Sequence, residues 1–264
     1  MTGPEVAEEK RLAALTSLLP EGRPGLLRWP EETDSTNLQL KALAEAGAPE
    51  GSVFLAERQL AGRGRLGRSF ASPPGGLYLS YLLRPDLPPE DMGEITAWAA
   101  VAVRRALERC CCLRPEIKWV NDLLWQGRKL CGILCETVLR RFRAESLVIG
   151  VGVNVEAAEE DFPPELRSSA TSLRMIGLPL PERSALAAEL ILALDALARD
   201  FPAAGEEYWR EYRACCVTLG REVTLSDGSE AFAEDLERDF SLRLRRSDGS
   251  RFLLRSGEAT LHRG

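Results

Sequence analysis

The stretch SLVIGVGVNV at positions 146–155 constrains the chain more than any other. It is apolar almost throughout and shows no polar alternation, so it reads as a strand central in a sheet. Two glycines, Gly150 and Gly152, interrupt it. Glycine weakens a strand unless something must approach its backbone closely. Asn154 at the end of the run can recognise a base edge or a hydroxyl. A strand bulge followed by a turn asparagine leaves the same residues.

Around this strand the pattern predicts a mixed domain. Residues 5–18 predict a short amphipathic helix that Pro20 stops, and Leu26 to Trp29 a first strand. In TDSTNLQLKALAEAG, Asp34 or Ser35 can accept from the free N–H groups of a following helix, and Gly47 can end it. Strands are expected at 52–57 and 76–83, and a long helix from Asp91 to Cys112. Short strands follow around 116–118 and 123–125. The turn Gln126-Gly127-Arg128 leads into a returning strand at 129–138. Residues 156–181 are proline-rich and irregular, and two helices are expected around 182–200 and 204–215. From Val217 the character changes. Asp227-Gly228 and Asp248-Gly249 are hairpin turns between short strands, which predict a small β-barrel.

Composition excludes several classes. Lys+Arg is 34 and Asp+Glu is 40, a net charge of −6, which disfavours general phosphate-backbone binding. No apolar run approaches the ~18 residues of a membrane span, and the opening MTGPEVAEEKRL has no signal pattern. The single histidine, His262, leaves no central histidine base. The seven cysteines include the neighbours Cys110 to Cys112 and Cys215 with Cys216, and no CxxC pair. They read as small buried hydrophobes in a reduced cytosol, without a zinc site. Cys131 and Cys135 share one strand face.

Four groups of residues carry possible chemistry. Gly62-Arg63-Gly64-Arg65-Leu66-Gly67-Arg68 combines permissive backbone with planar cationic forks, suited to phosphate or carboxylate oxygens. It is neither a P-loop nor a dinucleotide fingerprint. A solvated basic loop or an RNA contact remains open for it. Lys118-Trp119-Val120-Asn121-Asp122 precedes Lys129 across a tight turn. Lys129 either snorkels to solvent or steadies negative charge on a reacting phosphoryl or carboxyl group. Gly132 would admit a ligand to the strand backbone. The third group is the glycine strand with Asn154, and the fourth Asp34-Ser35-Thr36-Asn37 at a helix start.

Taken in order, DSTN, QxxGRGRxGR, KWxND with GRKLxGIL, GxGxN and the closing Ser256-Gly257-Glu258-Ala259-Thr260-Leu261 resemble the biotin protein ligases. The resemblance runs from about Thr33 to Leu261. It implies an α+β fold: a mixed-sheet catalytic domain of the biotin/lipoate ligase type, class II synthetase-like, with a small C-terminal SH3-like β-barrel. The expected division is an N-terminal helical extension at 1–25, a catalytic domain at 26–216 and the barrel at 217–264.

The same resemblance implies an ATP-dependent ligase. Biotin's carboxylate attacks the α-phosphorus of ATP, giving biotinyl-5′-AMP, and a lysine of a biotin carboxyl-carrier protein domain then takes the biotinyl group. By motif, Ser35, Thr36, Asn37 and Gln59 lie where the family binds biotin. Arg63, Gly64 and Arg65 match the loop over biotin and adenylate, and Gly132 the glycine lining the biotin pocket. Lys129 matches the catalytic lysine, with Arg65 beside it in that role. Arg68, Asn121, Asp122 and Asn154, again with Arg65 and Lys129, fall on the nucleotide side. Mg²⁺ is expected to be held mainly by ATP phosphates and water, not by a protein cage. Two departures stand out: Val120 where the family has proline, and Phe70 where it has tryptophan.

Some family members carry an N-terminal winged helix-turn-helix and repress transcription. About 30 residues precede the first motif here, so no DNA binding is expected. A cytoplasmic enzyme with no membrane association is implied. Members dimerise through different surfaces or not at all, which leaves a homodimer open. Rival readings are a lipoate or octanoate ligase of the same fold, and an RNA-binding module. The Gly-Arg-Gly-Arg loop and the KWxND hairpin favour biotin over lipoate. An RNA-binding face needs interleaved aromatics, and only Phe70 lies near the loop.

Overall fold

The computed structural model describes residues 3–85, 94–140 and 143–261. Residues 91–93, the expected start of the long helix, and His262 lie outside the described residues. The main sheet contains β1 (Leu27–Arg28), β3 (Val53–Ala56), β5 (Gly76–Leu83), β6 (Glu116–Lys118), β7 (Asp122–Trp125), β8 (Arg128–Arg140) and β9 (Arg143–Asn154). Its order is β1-β3-β5-β9-β8-β7-β6, so the glycine-bearing apolar strand is the middle of seven. β1 and β3 run parallel and the other neighbours antiparallel, which makes the sheet mixed. β2 (Glu32–Thr33) and β4 (Arg58–Gln59) pair separately, in parallel.

Alternation along β9 sorts its residues. Leu147, Ile149, Val151 and Val153 enter the main core, whereas Val148 joins a second cluster on the opposite face. Gly150, Gly152 and Asn154 share the face of Val148 by the same period of two. Each fully buried aliphatic side chain stabilises the fold by roughly 1.5–3 kcal/mol. The main core is closed by α1 (Gly3–Thr16), α3 (Ile95–Cys111), α5 (Arg183–Asp200) and α6 (Gly205–Cys215). Trp98 of α3 stacks on Tyr208 of α6 with ring centroids 4.0 Å apart. On the other face lies α2 (Thr36–Glu45), whose Leu40 and Ala44 meet Phe54, Leu82 and Val148. Between Asn154 and α5 the chain holds the short α4 (Leu173–Ile176) and a 3₁₀ turn at Glu159–Asp161, around Ala157, Phe162 and Ala170.

After α6 the chain is all antiparallel. β10 (Glu222–Leu225), β11 (Glu230–Leu236), β12 (Leu242–Arg245), β13 (Arg251–Leu254) and β14 (Ala259–Leu261) form a sheet of order β13-β12-β11-β10-β14. Gly228 and Gly249 take positive φ, +81° and +85°, in the two predicted hairpin turns. This sheet is fastened to the edge of the first. The Val217 N–H donates to Ile117 O at 2.9 Å, and the Trp119 indole N–H to Phe240 O at 2.8 Å. The β6 edge is thereby covered.

All seven cysteines are free thiols. Cys131 and Cys216 are buried as expected, but Cys112 is exposed. It ends α3 at φ +52°, a left-handed position that turns its side chain out of the core. Among the described residues no helix is long and apolar enough to cross a membrane.

Candidate active site

The face of β8 and β9 that carries the glycines forms the floor of a cavity open to solvent. Its walls come from the start of α2, the arginine loop and the β6–β7 turn. Of the residues singled out from sequence, Ser35, Thr36, Asn37, Gln59, Arg63, Gly64, Arg65, Asn121, Lys129 and Gly132 line this one cavity. Arg68, Asp122 and Asn154 stand outside its wall.

The helix start is capped differently from the sequence expectation. Neither Asp34 nor Ser35 caps α2 through its side chain. Asp34 instead accepts from the Ser35 N–H at 2.6 Å and from Gln39 at 2.9 Å. The Thr36 N–H is taken by the Gln59 side-chain oxygen at 2.9 Å. Gln59 Nε2 donates onward to Ser72 at 2.8 Å. A partner 23 residues away has displaced the local cap, which leaves the Ser35 hydroxyl on the cavity wall with no hydrogen bond to the described residues. Asn37 is fully engaged. It donates to Glu136 at 2.9 Å and Leu134 O at 3.3 Å, and accepts from Ser80 at 2.6 Å.

The arginine loop closes on itself. The Phe70 N–H donates to Gly62 O at 2.8 Å, and the Gly64 N–H to Arg68 O at 2.7 Å. Its three arginines reach three walls. Arg63 pairs with Glu136 of β8 at 3.6 Å. Arg65 donates to Asn121 Oδ1 at 3.1 Å and to Gly257 O of the C-terminal sheet at 3.0 Å. Arg68 pairs with Glu258 at 2.6 Å and faces solvent.

Lys129 owes its direction to a bulge. Strict alternation would turn it with Cys131 and Ile133 into the core. The register slips between Leu123 and Leu124, which pair with Cys131 and Lys129, so Leu130 is the extra residue. Leu130 is buried in the core and Lys129 turns to the cavity. Bulges re-aim side chains in this way beside active sites. Its ammonium lies 2.8 Å from the Asp122 carboxylate. Asn154 donates to Lys129 O at 3.3 Å and Thr171 O at 2.9 Å, so its amide braces the start of β8. Asn121 donates to Ile133 O at 2.8 Å. The Trp119–Val120 peptide is cis.

Two participants were not assigned to the site from sequence, although Phe70 was marked as standing where the family has tryptophan. The Phe70 ring lies directly on the glycine floor: a Cβ at Gly132 would come within 2.8 Å of it and one at Gly152 within 2.5 Å. Its adjacency to the arginine loop was the available signal. Glu136 is the other, lying beneath α2 and gathering Asn37, Lys41 at 3.1 Å and Arg63. Burial raises its pKa, but the hydrogen bonds from Asn37 and Lys41 and the charges of Lys41 and Arg63 outweigh this and hold it below the usual carboxylate value. On the opposite face burial pushes the Cys135 thiol up to about 12, and Cys131 higher still, so neither is a thiolate at neutral pH. The cavity therefore offers two aimed cations, Arg65 and Lys129, a hydroxyl with no partner among the described residues and a flat glycine floor. That set suits bringing together two anions beside a compact polar ring.

Comparison with known proteins agrees. Residues 29–154 match the model of the biotin/lipoate A/B protein ligase family. The biotin–[acetyl-CoA-carboxylase] ligase of Mycobacterium tuberculosis is 37% identical over 198 residues, covering 73% of this chain and 71% of its own. The bifunctional ligase/repressor BirA of Bacillus spizizenii is 35% identical over 205 residues, 76% of this chain. Only 63% of that relative is covered, so this chain spans less than two thirds of its length. The biotin protein ligase of Aquifex aeolicus, solved in complex with biotin and ATP, superposes with a TM-score of 0.75 at 29% identity, over 90% of this chain and 99% of that one. The chain belongs to the biotin protein ligases, within the biotin/lipoate A/B protein ligase family.

Proposed function

We propose that this chain activates biotin as biotinyl-5′-AMP and transfers the biotinyl group to a lysine of a biotin carboxyl-carrier protein domain. The observation that carries the reading is the convergence of Arg65 and Lys129, from segments far apart in sequence, over one glycine-floored cavity. The A. aeolicus ligase was solved in complex with biotin and ATP, and the M. tuberculosis relative is a biotin–[acetyl-CoA-carboxylase] ligase, which supports the reading.

In the first step a biotin carboxylate oxygen bonds to the α-phosphorus and the bond to pyrophosphate breaks. Two anions meet, so fixed positive charge lowers the barrier. The Lys129 ammonium has three N–H donors, and the contact with Asp122 leaves others free for the carboxylate and the α-phosphate. Arg65 has five, and Asn121 and Gly257 O take two. Asn121, Asp122 and Asn154 act by holding Arg65, Lys129 and the first turn of β8. In the second step the carrier's neutral amine attacks the acyl carbonyl. An amide forms, AMP leaves and the proton passes to solvent.

Ser35 and Thr36 serve the ureido ring, with Asn37 and Gln59 holding them in place. Arg63 and Gly64 carry the loop over the intermediate, and Arg68 stands at its outer edge. A loop that excludes water protects the labile anhydride. Among the described residues no group of three His, Cys, Asp or Glu side chains is placed to hold a metal. A magnesium ion would be held by polyphosphate oxygens and water, where it neutralises phosphate charge. The catalytic part is taken as 26–216, preceded by the 1–25 extension and followed by the C-terminal unit 217–264. Seven free thiols fit a cytoplasmic setting.

Calorimetric titration with biotin, followed by ATP and magnesium with pyrophosphate detection, tests the reading. Biotin heat and pyrophosphate release without any carrier are expected. A response to lipoate alone would move the substrate within the fold, and silence with both would reject adenylation.

A further inference from the structure

The helix α5 opens on a residue that its own electrostatics disfavour. Arg183 occupies its first position, where the helix presents the positive end of its dipole. The N-cap, Glu182, makes no side-chain cap. Burial lowers the pKa of Arg183, and the charge of Arg11 lowers it further. A cation placed so is held for the contacts of its side chain. It donates through Nε and Nη2 to Glu156 Oε1, at 3.3 and 3.1 Å, and through Nη1 to Glu57. The two carboxylates come from segments far apart in sequence, and like charges brought together repel unless a cation lies between them.

Each carboxylate lies two residues from a group assigned to the site. Glu57 precedes β4, and Gln59 of β4 holds the Thr36 N–H at 2.9 Å and the Thr36 hydroxyl at 3.1 Å. β4 pairs with β2 over two residues only, so this ribbon by itself fixes Gln59 weakly. Glu156 follows Asn154, whose amide donates to Lys129 O at 3.3 Å and Thr171 O at 2.9 Å. Two residues of extended chain span at most about 7 Å. A displacement at either carboxylate therefore reaches the site with little chain to absorb it. The post between them is rigid, because Leu186, Leu190, Ile191 and Leu194 of α5 are fully buried.

We infer that Arg183 is a positioning residue for adenylation: its guanidinium joins Glu57 to Glu156 and so holds Gln59, on the biotin side, in fixed relation to Asn154 and Lys129, on the nucleotide side. This rests on the adenylating reading above. Arg183 stands outside the cavity wall and acts only through the two acids. The two arms have different consequences. The Glu57 arm acts through Gln59 and Thr36 on biotin binding. The Glu156 arm acts through Asn154 on the backbone that carries Lys129, and so on the rate of the chemical step.

Single-arm variants test it, because each leaves the guanidinium one carboxylate. Glu57→Ala, Glu156→Ala, Arg183→Ala and Arg183→Lys are compared with the unsubstituted chain in three measurements. These are biotin Kd by calorimetry, the single-turnover rate of adenylate formation at saturating biotin and ATP, and thermal melting. Glu57→Ala is expected to raise biotin Kd at least about fivefold while the rate changes by less than about twofold. Glu156→Ala is expected to lower the rate at least about fivefold while Kd changes by less than about twofold. Arg183→Ala combines both shifts, and Arg183→Lys, which keeps a cation but not the planar fork, recovers part of each. Should Arg183→Ala fail to fold, the two single-arm variants still decide. Variants that lose melting temperature but keep the parent Kd and rate would make the cluster a structural tie and overturn the proposal. Equal shifts of Kd and rate in both single-arm variants would overturn it too, since the arms would not be separate. If the unsubstituted chain forms no adenylate, the adenylating reading fails and the positioning role with it. That outcome is distinct from an active parent whose variants do not divide.

Discussion

At the scale of single residues, most depends on Lys129. The removal of one preorganised donor from a site of developing negative charge costs about 10²–10³ in rate. Lys129→Ala is therefore expected to slow single-turnover adenylate formation by at least about a hundredfold. The fold should survive, since the Lys129 side chain is 35% exposed and lies outside the core, although the less exposed Asp122 then loses its cation. An unchanged single-turnover rate would remove Lys129 from the chemistry. Its direction was not legible from periodicity, which turns residue 129 into the core with Cys131; the bulge at Leu130 reverses this, and bulges leave little trace in one sequence. Asn154 was singled out for ligand recognition by its type; the structure adds that its amide N–H groups go to Lys129 O and Thr171 O, which leaves its Oδ1 for that purpose. The capping rule failed at Ser35 because a side chain from 23 residues on took the helix N–H instead.

At the scale of elements, the two glycines of β9 face the same way but make room for different things. A Cβ at Gly150 would overlap the Asn37 amide, which is fixed by Glu136, Leu134 and Ser80. A Cβ at Gly152 would press on the Phe70 ring, which sits on a loop able to yield. Overpacking against a fixed neighbour costs about 1–3 kcal/mol. Gly150→Ala should then lower the melting temperature by roughly 2–12 °C, at about 2–4 °C per kcal/mol for a chain of this size. Gly152→Ala should leave melting nearly unchanged and weaken biotin binding, because the displaced ring carries the loop away from the floor. Parallel thermal melts and calorimetry separate the two, and equal melting losses would contradict the distinction. The sequence marked both glycines as places of close approach and placed the strand centrally, because those signals are local. It could not say what approaches, since Asn37 and Phe70 arrive from other elements.

At the scale of the whole molecule, pieces distant in sequence are joined by carboxylates, which sets how stability should respond to pH. Glu8 ties α1 to β1 through Arg28 and the Trp29 N–H. Glu136 joins α2, β8 and the arginine loop, and Asp235 binds Arg213 of α6 to the C-terminal sheet. Such ties, like the 192-residue reach from Arg65 to Gly257, were invisible in the chain because they depend on the finished packing. All three carboxylates have lowered pKa values. For Glu8 and Glu136 burial works upward and is outweighed by hydrogen bonds and neighbouring cations; for Asp235 the Arg213 hydrogen bond leads. A folded-state pKa below the unfolded value, about 4 for these groups, gives stabilisation that is complete above the unfolded pKa. It is lost as pH falls through the folded one. The other candidates near this range are the single histidine and the thiols: burial raises those of Cys131, Cys135 and Cys216, whereas the hydrogen bond with Cys111 lowers that of Cys110. Thermal melts in small pH steps should therefore be flat from about pH 5.5 to 8 and decline below about 4.5. Glu136→Gln should flatten that decline in part and loosen the loop that Arg63 anchors. A step between pH 6 and 7 would contradict this account, because none of the three carboxylates changes charge in that interval.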